Sequence, residues 1–89
     1  MNNQSVINAF ALGQKATSST GNLYSNGDKL INYYTCIAQR LPNGTIMVNS
    51  TKYSTSTSKL QTLTRRTIKQ YTEVVNVPID TWNLERFVK

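Results

Sequence analysis

The sequence predicts one α+β domain over residues 1–89, with a short N-terminal helix, three to four antiparallel strands and one basic amphipathic helix packed on the sheet. Two turn signals support the sheet: an Asn-Gly pair at 26–27 and a Pro-Asn-Gly triplet at 42–44 separate stretches rich in strand-forming residues. A later segment, 59–71, repeats apolar residues at helical spacing. A chain of 89 residues has room for one small core.

The N-terminal helix is predicted over residues 5–12, with Ser5 as its cap and Gly13 as its end. The residues that share one face of this helix are Val6, Ala9 and Phe10. Residues 14–22 are rich in Ser, Thr and Gly and predict a mobile loop.

The strands are predicted at 22–25, 29–41 and 45–49, with 73–77 as a possible fourth strand ended by a proline. In the central run both alternating sets of side chains are partly apolar. That pattern fits a strand covered on both faces, or one whose second face awaits a partner. Asp80 is expected to cap a last turn that carries Trp82, Leu84 and Phe87.

The amphipathic helix has the strongest periodicity in the chain. Ser58 and Gln61 form a Ser-x-x-Gln capping box, which predicts a helix that begins near residue 59. The residues on its apolar arc are Leu60, Leu63, Thr64, Thr67, Ile68 and Tyr71. The residues on the opposite arc are Lys59, Arg65, Arg66 and Lys69.

Positive charge is concentrated in one part of the chain. Ten Lys and Arg face four Asp and Glu, a net charge of +6, and no carboxylate lies between Asp28 and Glu73. The basic residues in that interval are Lys29, Arg40, Lys52, Lys59, Arg65, Arg66 and Lys69. Like charges repel, so this stretch favours an acidic partner, most commonly nucleic-acid phosphates. A solvated helix face that keeps the protein soluble is the other interpretation.

The start of the basic helix supplies the candidate contacts. Five consecutive hydroxyl side chains at 54–58, bracketed by Lys52 and Lys59, predict a phosphate-binding pocket at a helix N-terminus. Simple capping by one of the hydroxyls is the alternative. The residues expected to contact phosphates or an acidic protein surface are Lys52, Lys59, Arg65, Arg66 and Lys69. Those expected to supply hydrogen bonds are Tyr53, Ser54 and Thr57.

Tyr24, Tyr33, Tyr34 and Tyr53 lie on or beside the predicted strands. We expect them to pack in or around the core, with Tyr53 as the first candidate for an exposed ring. Exposed tyrosines on a basic sheet would instead stack the bases of single-stranded nucleic acid.

The composition argues against catalysis and metal binding. The chain has no histidine, which removes His-based triads and His metal sites, and its four carboxylates show no pairing. Cys36 is the only cysteine and is expected to be a buried strand residue. We expect no enzymatic activity, no metal and no cofactor. No apolar run reaches the length of a membrane span and no signal peptide is evident, so the expected location is the cytoplasm.

Three segments together resemble a set of small phage and mobile-element proteins. Residues 30–38, 46–49 and 53–61 match the pattern of a strand of the type (S/N)Y-x-T-x-(I/V)-A, a second strand, and YS-x-TTSKHQ leading into a basic helix. The resemblance covers roughly residues 28–70. Ser56 replaces a usual threonine and Leu60 replaces the usual histidine, so any chemistry of that histidine would be lost here.

The resemblance implies a phage-type origin. Small phage proteins of this size often bind host machinery, which by analogy suggests an anti-CRISPR or other anti-defence inhibitor. The leading hypothesis is therefore a binding protein that engages nucleic acid or a nucleoprotein defence complex. The alternative is a structural or assembly protein, such as a virion component or homo-oligomeric module.

Overall fold

The computed structural model describes residues 1–87. Its elements are α1 (Asn3–Ala11), β1 (Lys15–Thr17), β2 (Leu23–Asn26), β3 (Lys29–Asn32), β4 (Thr35–Arg40), β5 (Ile46–Asn49), α2 (Thr55–Thr67), β6 (Thr72–Val74) and a 3₁₀ turn (Glu85–Phe87). The α+β class, the N-terminal helix and the later helix are confirmed.

The strands form one six-stranded sheet in the order β1-β2-β3-β4-β5-β6. Neighbours from β1 to β5 are antiparallel, whereas β6 runs parallel to β5. The expectation of three to four antiparallel strands was therefore wrong. Because α2 lies between β5 and β6, the chain returns to the starting end of β5 before it pairs again, and such a helical crossover produces a parallel pair.

The run 29–41 is a hairpin and not a single strand. β3 and β4 are joined by Tyr33 and Tyr34, with Asn32 paired to Thr35. Tyr33 has a φ of 57° in the first turn position, where hairpins favour glycine. Since neither Gly nor Pro marks this turn, the sequence pattern could not reveal it.

The predicted N-terminal loop contains a strand. β1 pairs with β2 from Lys15 opposite Asn26 to Thr17 opposite Tyr24, so residues 15–17 are not a mobile loop. As an exposed edge strand it buries little, and its apolar pattern is correspondingly weak. Helix α1 begins before Ser5, because the side chain of Asn2 caps it by accepting from the Ser5 N–H at 2.8 Å.

Both faces of the sheet are covered by the chain itself. The helices cover one face through a cluster that contains Val6, Phe10, Leu30, Ile37, Val48 and Leu60. The segment after β6 covers the other through a cluster of Ile31, Cys36, Met47, Val74, Val77 and Leu84. Of the two interpretations of the doubly apolar run, covering on both faces is the one observed.

A register shift adjusts which side chains reach each face. Leu30 pairs with Ala38 while Ile31 pairs with Cys36, so Ile37 is an extra residue in β4. Ile37 and Ala38 consequently both join the cluster beneath the helices, and Cys36 joins the opposite cluster. The expected burial of Cys36 is confirmed.

The last turn is capped differently from the expectation. The Asn83 side chain accepts from the Glu85 N–H at 2.9 Å, so Asn83 and not Asp80 caps the 3₁₀ turn. Asp80 instead has a φ of 64° and donates its N–H to Thr35 Oγ1 at 2.8 Å. This bond fixes the segment after β6 to the start of β4.

Candidate nucleic-acid interface

Helix α2 begins four residues earlier than its periodicity indicated. Ser54 is the N-cap, in an extended conformation, and its side-chain oxygen accepts from the Thr57 N–H at 3.2 Å. The predicted cap, Ser58, lies inside the first turn and donates its N–H to Ser54 O. Any of the five hydroxyls could cap locally, and the entry of the chain from β5 selects Ser54.

The two sides of α2 differ as predicted, but the helix ends at Thr67, so Ile68, Lys69 and Tyr71 of the predicted arcs lie beyond it. The residues buried against the sheet and α1 are Thr57, Leu60, Gln61 and Thr64. Lys59 and Arg66 are exposed on the other side. Because they are seven residues apart, they lie two turns from each other on one stripe, roughly 10 Å along the axis. The helix therefore presents a row of cations to solvent.

The other three predicted basic contacts lie around this row. Lys52 precedes the helix, Lys69 follows it, and both are exposed. Arg65 is half-buried, with Nη1 3.4 Å from Ser50 Oγ and Nη2 3.3 Å from Thr62 Oγ1. Its guanidinium is thus partly engaged along the helix flank.

Two further cations of the acid-free interval serve the fold. Arg40 donates to the carbonyl oxygens of Gly27 at 2.7 Å and Phe10 at 2.9 Å, and its guanidinium lies 5.1 Å from the Phe10 ring centroid. It thereby satisfies carbonyl groups at the C-terminal end of α1. Lys29 Nζ lies 5.3 Å from the Trp82 ring centroid. Charge counting along the sequence could not separate these two residues from the solvent-facing ones.

The hydroxyl residues predicted as contacts make internal hydrogen bonds. The Tyr53 hydroxyl donates to Val77 O at 2.6 Å, and Thr57 Oγ1 donates to Asn32 Oδ1 at 2.9 Å. Thr57 is buried and Tyr53 half-buried. These side chains hold α2 and its leading segment against the sheet.

The same residues border a cavity of about 330 Å³ between the β3–β4 turn and the start of α2. Its lining residues are Asn32, Tyr33, Thr35, Tyr53, Ser54, Thr57, Ile79 and Asp80. Three predicted contacts, Tyr53, Ser54 and Thr57, therefore meet here, while the basic residues do not line it. Sequence reasoning missed Asp80 and Ile79 as site residues, because only the folded C-terminal segment brings them to α2.

The tyrosines are arranged differently from the expectation. Tyr33 is 58% exposed and Tyr34 is 73% exposed, whereas Tyr53 is half-buried. The expected packing was wrong for the first two, and Tyr53 is not the exposed exception. The cause is the unrecognised turn, since residues at a hairpin tip point away from both sheet faces.

A second cavity, of about 600 Å³, lies at the β5–β6 end of the sheet. Its walls include Leu41, Met47, Val75 and Phe87, together with Glu73. None of the predicted contact residues borders it.

Neither a metal site nor a membrane-spanning helix is present within residues 1–87. No group of three or more Cys, Asp or Glu side chains there is placed to hold a metal ion. No helix in that part of the chain is long and apolar enough to cross a membrane. Comparison of the chain with protein-family models, curated proteins and solved structures finds no match in any of the three.

Proposed function

We propose that this protein binds nucleic acid through a basic face made of Lys52, Lys59, Arg66 and Lys69, with Arg65 at its edge. The observation that carries the proposal is the exposure of these four side chains along and beside one helix, in an interval that contains no carboxylate. Bound phosphates would neutralise the like charges of this row and so lower their mutual repulsion. The counterions released at the same time would also favour binding.

The sequence around the helix start strengthens this electrostatic argument. Helix N-termini usually carry Asp or Glu, which offset the positive end of the dipole. The first turn of α2 has no acidic residue, and Lys59 follows within the second turn. Within the helix itself, the positive end of the dipole therefore adds to the charge of Lys59.

The test is fluorescence anisotropy of labelled DNA and RNA oligonucleotides, single- and double-stranded, at several salt concentrations. We expect the logarithm of the affinity to fall linearly with the logarithm of the salt concentration. The double variant Lys59→Gln/Arg66→Gln should flatten this slope by about 1.4 for a single strand, because it removes two phosphate contacts.

A matched control is available on other parts of the surface. Lys15 on β1 and Arg86 in the 3₁₀ turn are both exposed, so Lys15→Gln/Arg86→Gln removes the same charges elsewhere. We expect the control to keep the wild-type slope. Equal losses in the two variants would mean that net charge alone drives binding, and absence of salt-dependent binding would refute the proposal.

The narrower hypothesis, a phage-type inhibitor of a nucleoprotein defence complex, rests on the sequence resemblance. The basic face would then grip the guide RNA or an acidic surface of the complex. The test is whether the protein inhibits target cleavage by a purified CRISPR effector. The hypothesis is supported if Lys59→Gln/Arg66→Gln abolishes this inhibition and Lys15→Gln/Arg86→Gln leaves it unchanged.

Assembly is the second candidate function. Within residues 1–87 no strand pairs with the outer edge of β6, and Val75 beside it is 56% exposed. An unpaired edge next to apolar side chains is a common route to association between copies. Light scattering at micromolar concentration decides this point, because a strict monomer argues against an assembly role.

A further inference from the structure

We infer that the cavity between the β3–β4 turn and α2 receives one unpaired base of a single-stranded nucleic acid, stacked on Tyr33. The inference rests on the proposed nucleic-acid binding and adds the class of ligand: single strands rather than duplexes. It comes from the walls of the cavity and not from the basic face.

Tyr33 supplies the stacking surface. Tyr33 is 58% exposed and borders a cavity of about 330 Å³, and Ile79, 69% exposed, is a second apolar wall. Exposed aromatic rings beside a cationic surface bind unpaired bases, whereas the bases of a duplex are already stacked on each other. The left-handed backbone at Tyr33 places this large ring at the turn, where smaller residues are favoured.

Asp80 decides which part of the ligand enters the cavity. A phosphate would be repelled by a carboxylate at this position, so the predicted phosphate pocket is disfavoured at the cavity itself. A neutral base avoids this repulsion, and the amino groups of cytosine, adenine and guanine can donate to a carboxylate. The Thr35 hydroxyl, on the same wall, accepts from the Asp80 N–H at 2.8 Å and so fixes the position of Asp80 at the cavity.

The position of the cavity allows both contacts to form together. Ser54 is a wall residue and also the cap of α2, with Lys52 two residues before it and Lys59 in the second turn. A strand with one base in the cavity would therefore bring a neighbouring phosphate towards Lys52, whereas Lys59 lies on the side of α2 opposite Thr57. Stacking and phosphate contacts then reinforce each other.

The experiment compares two adjacent tyrosines on one set of probes. The probes are single-stranded DNA and RNA of about 12 nucleotides, an abasic strand of the same length, and a duplex. The variants are Tyr33→Asn and Tyr34→Asn; Tyr34 is more exposed but does not line the cavity. Asparagine tolerates a positive φ, so the turn can keep its conformation, which circular dichroism verifies.

We expect the wild type to bind the single strands roughly 10-fold or more tightly than the abasic strand. Tyr33→Asn should remove that advantage and leave abasic binding unchanged, and Tyr34→Asn should keep it. Equal binding of abasic and normal strands, or equal losses in both variants, would overturn the assignment while leaving the basic face intact. Failure of every probe to bind would instead refute the proposed function.

Asp80→Asn tests the orientation of the base. Thymine lacks an exocyclic amino group, so the wild type should prefer oligo-dC to oligo-dT, and the variant should lose this preference. Asparagine keeps the backbone conformation that Asp80 adopts. If a phosphate occupied the cavity, Asp80→Asn would tighten binding of all strands equally, including the abasic one.

Discussion

The hydroxyl of Tyr53 donates a hydrogen bond of 2.6 Å to the carbonyl oxygen of Val77. The same hydroxyl accepts from Asn49 Nδ2 at 2.8 Å, so one phenol joins the end of β5 to the segment that covers the second sheet face. Val77 is buried in that second cluster. The aromatic residue that the sequence offered as an exposed contact is therefore a link between β5, α2 and the C-terminal segment.

Removal of this hydroxyl should weaken the fold. Tyr53→Phe leaves the ring in place but deprives Asn49 and Val77 of a partner. An unsatisfied buried polar group costs about 1–3 kcal/mol, and we expect the free energy of unfolding to fall by that amount. Urea denaturation measures it. Tyr34→Phe removes a hydroxyl from an exposed ring and should change nothing.

The position of the helix cap can be tested with two serines. Ser54→Ala should destabilise the protein by about 1 kcal/mol, because the Thr57 N–H loses its acceptor. Ser58→Ala should have a much smaller effect, because its side chain does not cap the helix in the structure. A larger loss of thermal stability in Ser58→Ala than in Ser54→Ala would instead show that Ser58 caps the helix, as the sequence indicated.

Arg40 should matter for stability rather than binding. Arg40→Gln leaves the carbonyl groups of Gly27 and Phe10 without their charged donor, and we expect a loss of about 2–3 kcal/mol. Chemical denaturation and the salt dependence of nucleic-acid binding give separate readouts. A variant that is stable but binds weakly would place Arg40 in the interface instead.

Burial of Cys36 should make the free energy of unfolding decrease at alkaline pH. Burial raises the pKa of its thiol to about 12, so the folded state keeps a proton that the unfolded state loses above about pH 9. Stability contributed by this group is full below pH 9 and declines as the pH rises towards 12, by up to about 1.4 kcal/mol per pH unit. Unfolding measured across this range checks it. Cys36→Ser should show a shallower decline, and identical slopes would assign the effect to other groups.

The same thiol should resist alkylation at neutral pH. A buried, protonated Cys36 is a poor nucleophile, so iodoacetamide should modify it only after denaturation. Mass spectrometry of native and urea-treated samples measures the difference. Rapid modification of the native protein would show that the second sheet face opens readily.

Local pattern was enough for elements whose signal lies in neighbouring residues. The i, i+4 spacing of Leu60 and Thr64, with Lys59 on the opposite side, indicated an amphipathic helix. Helical spacing alone fixes which side chains share a face. Gly13 marked the end of α1 because it has the positive φ, 75°, that glycine adopts freely. The turns at 26–27 and 42–44 were visible for the same reason.

The hairpin turn at Tyr33 was invisible because its positive φ is imposed by the pairing of Asn32 with Thr35 and not by a residue that prefers it. β1 has little apolar surface and exists through its hydrogen bonds to β2, which a pattern of side chains does not record.

The candidate site divides in the same way. The sequence by itself determined the charge of the basic face, because an acid-free interval and a helical period place Lys59 and Arg66 on one stripe whatever else the chain does. Only the tertiary structure decided that Arg40 donates to a carbonyl oxygen at the end of α1. It also decided that Asp80 and Ile79 line one cavity with Tyr33. Those contacts join residues far apart in the chain, and their geometry depends on the packing of the C-terminal segment against the sheet, which local preferences do not encode.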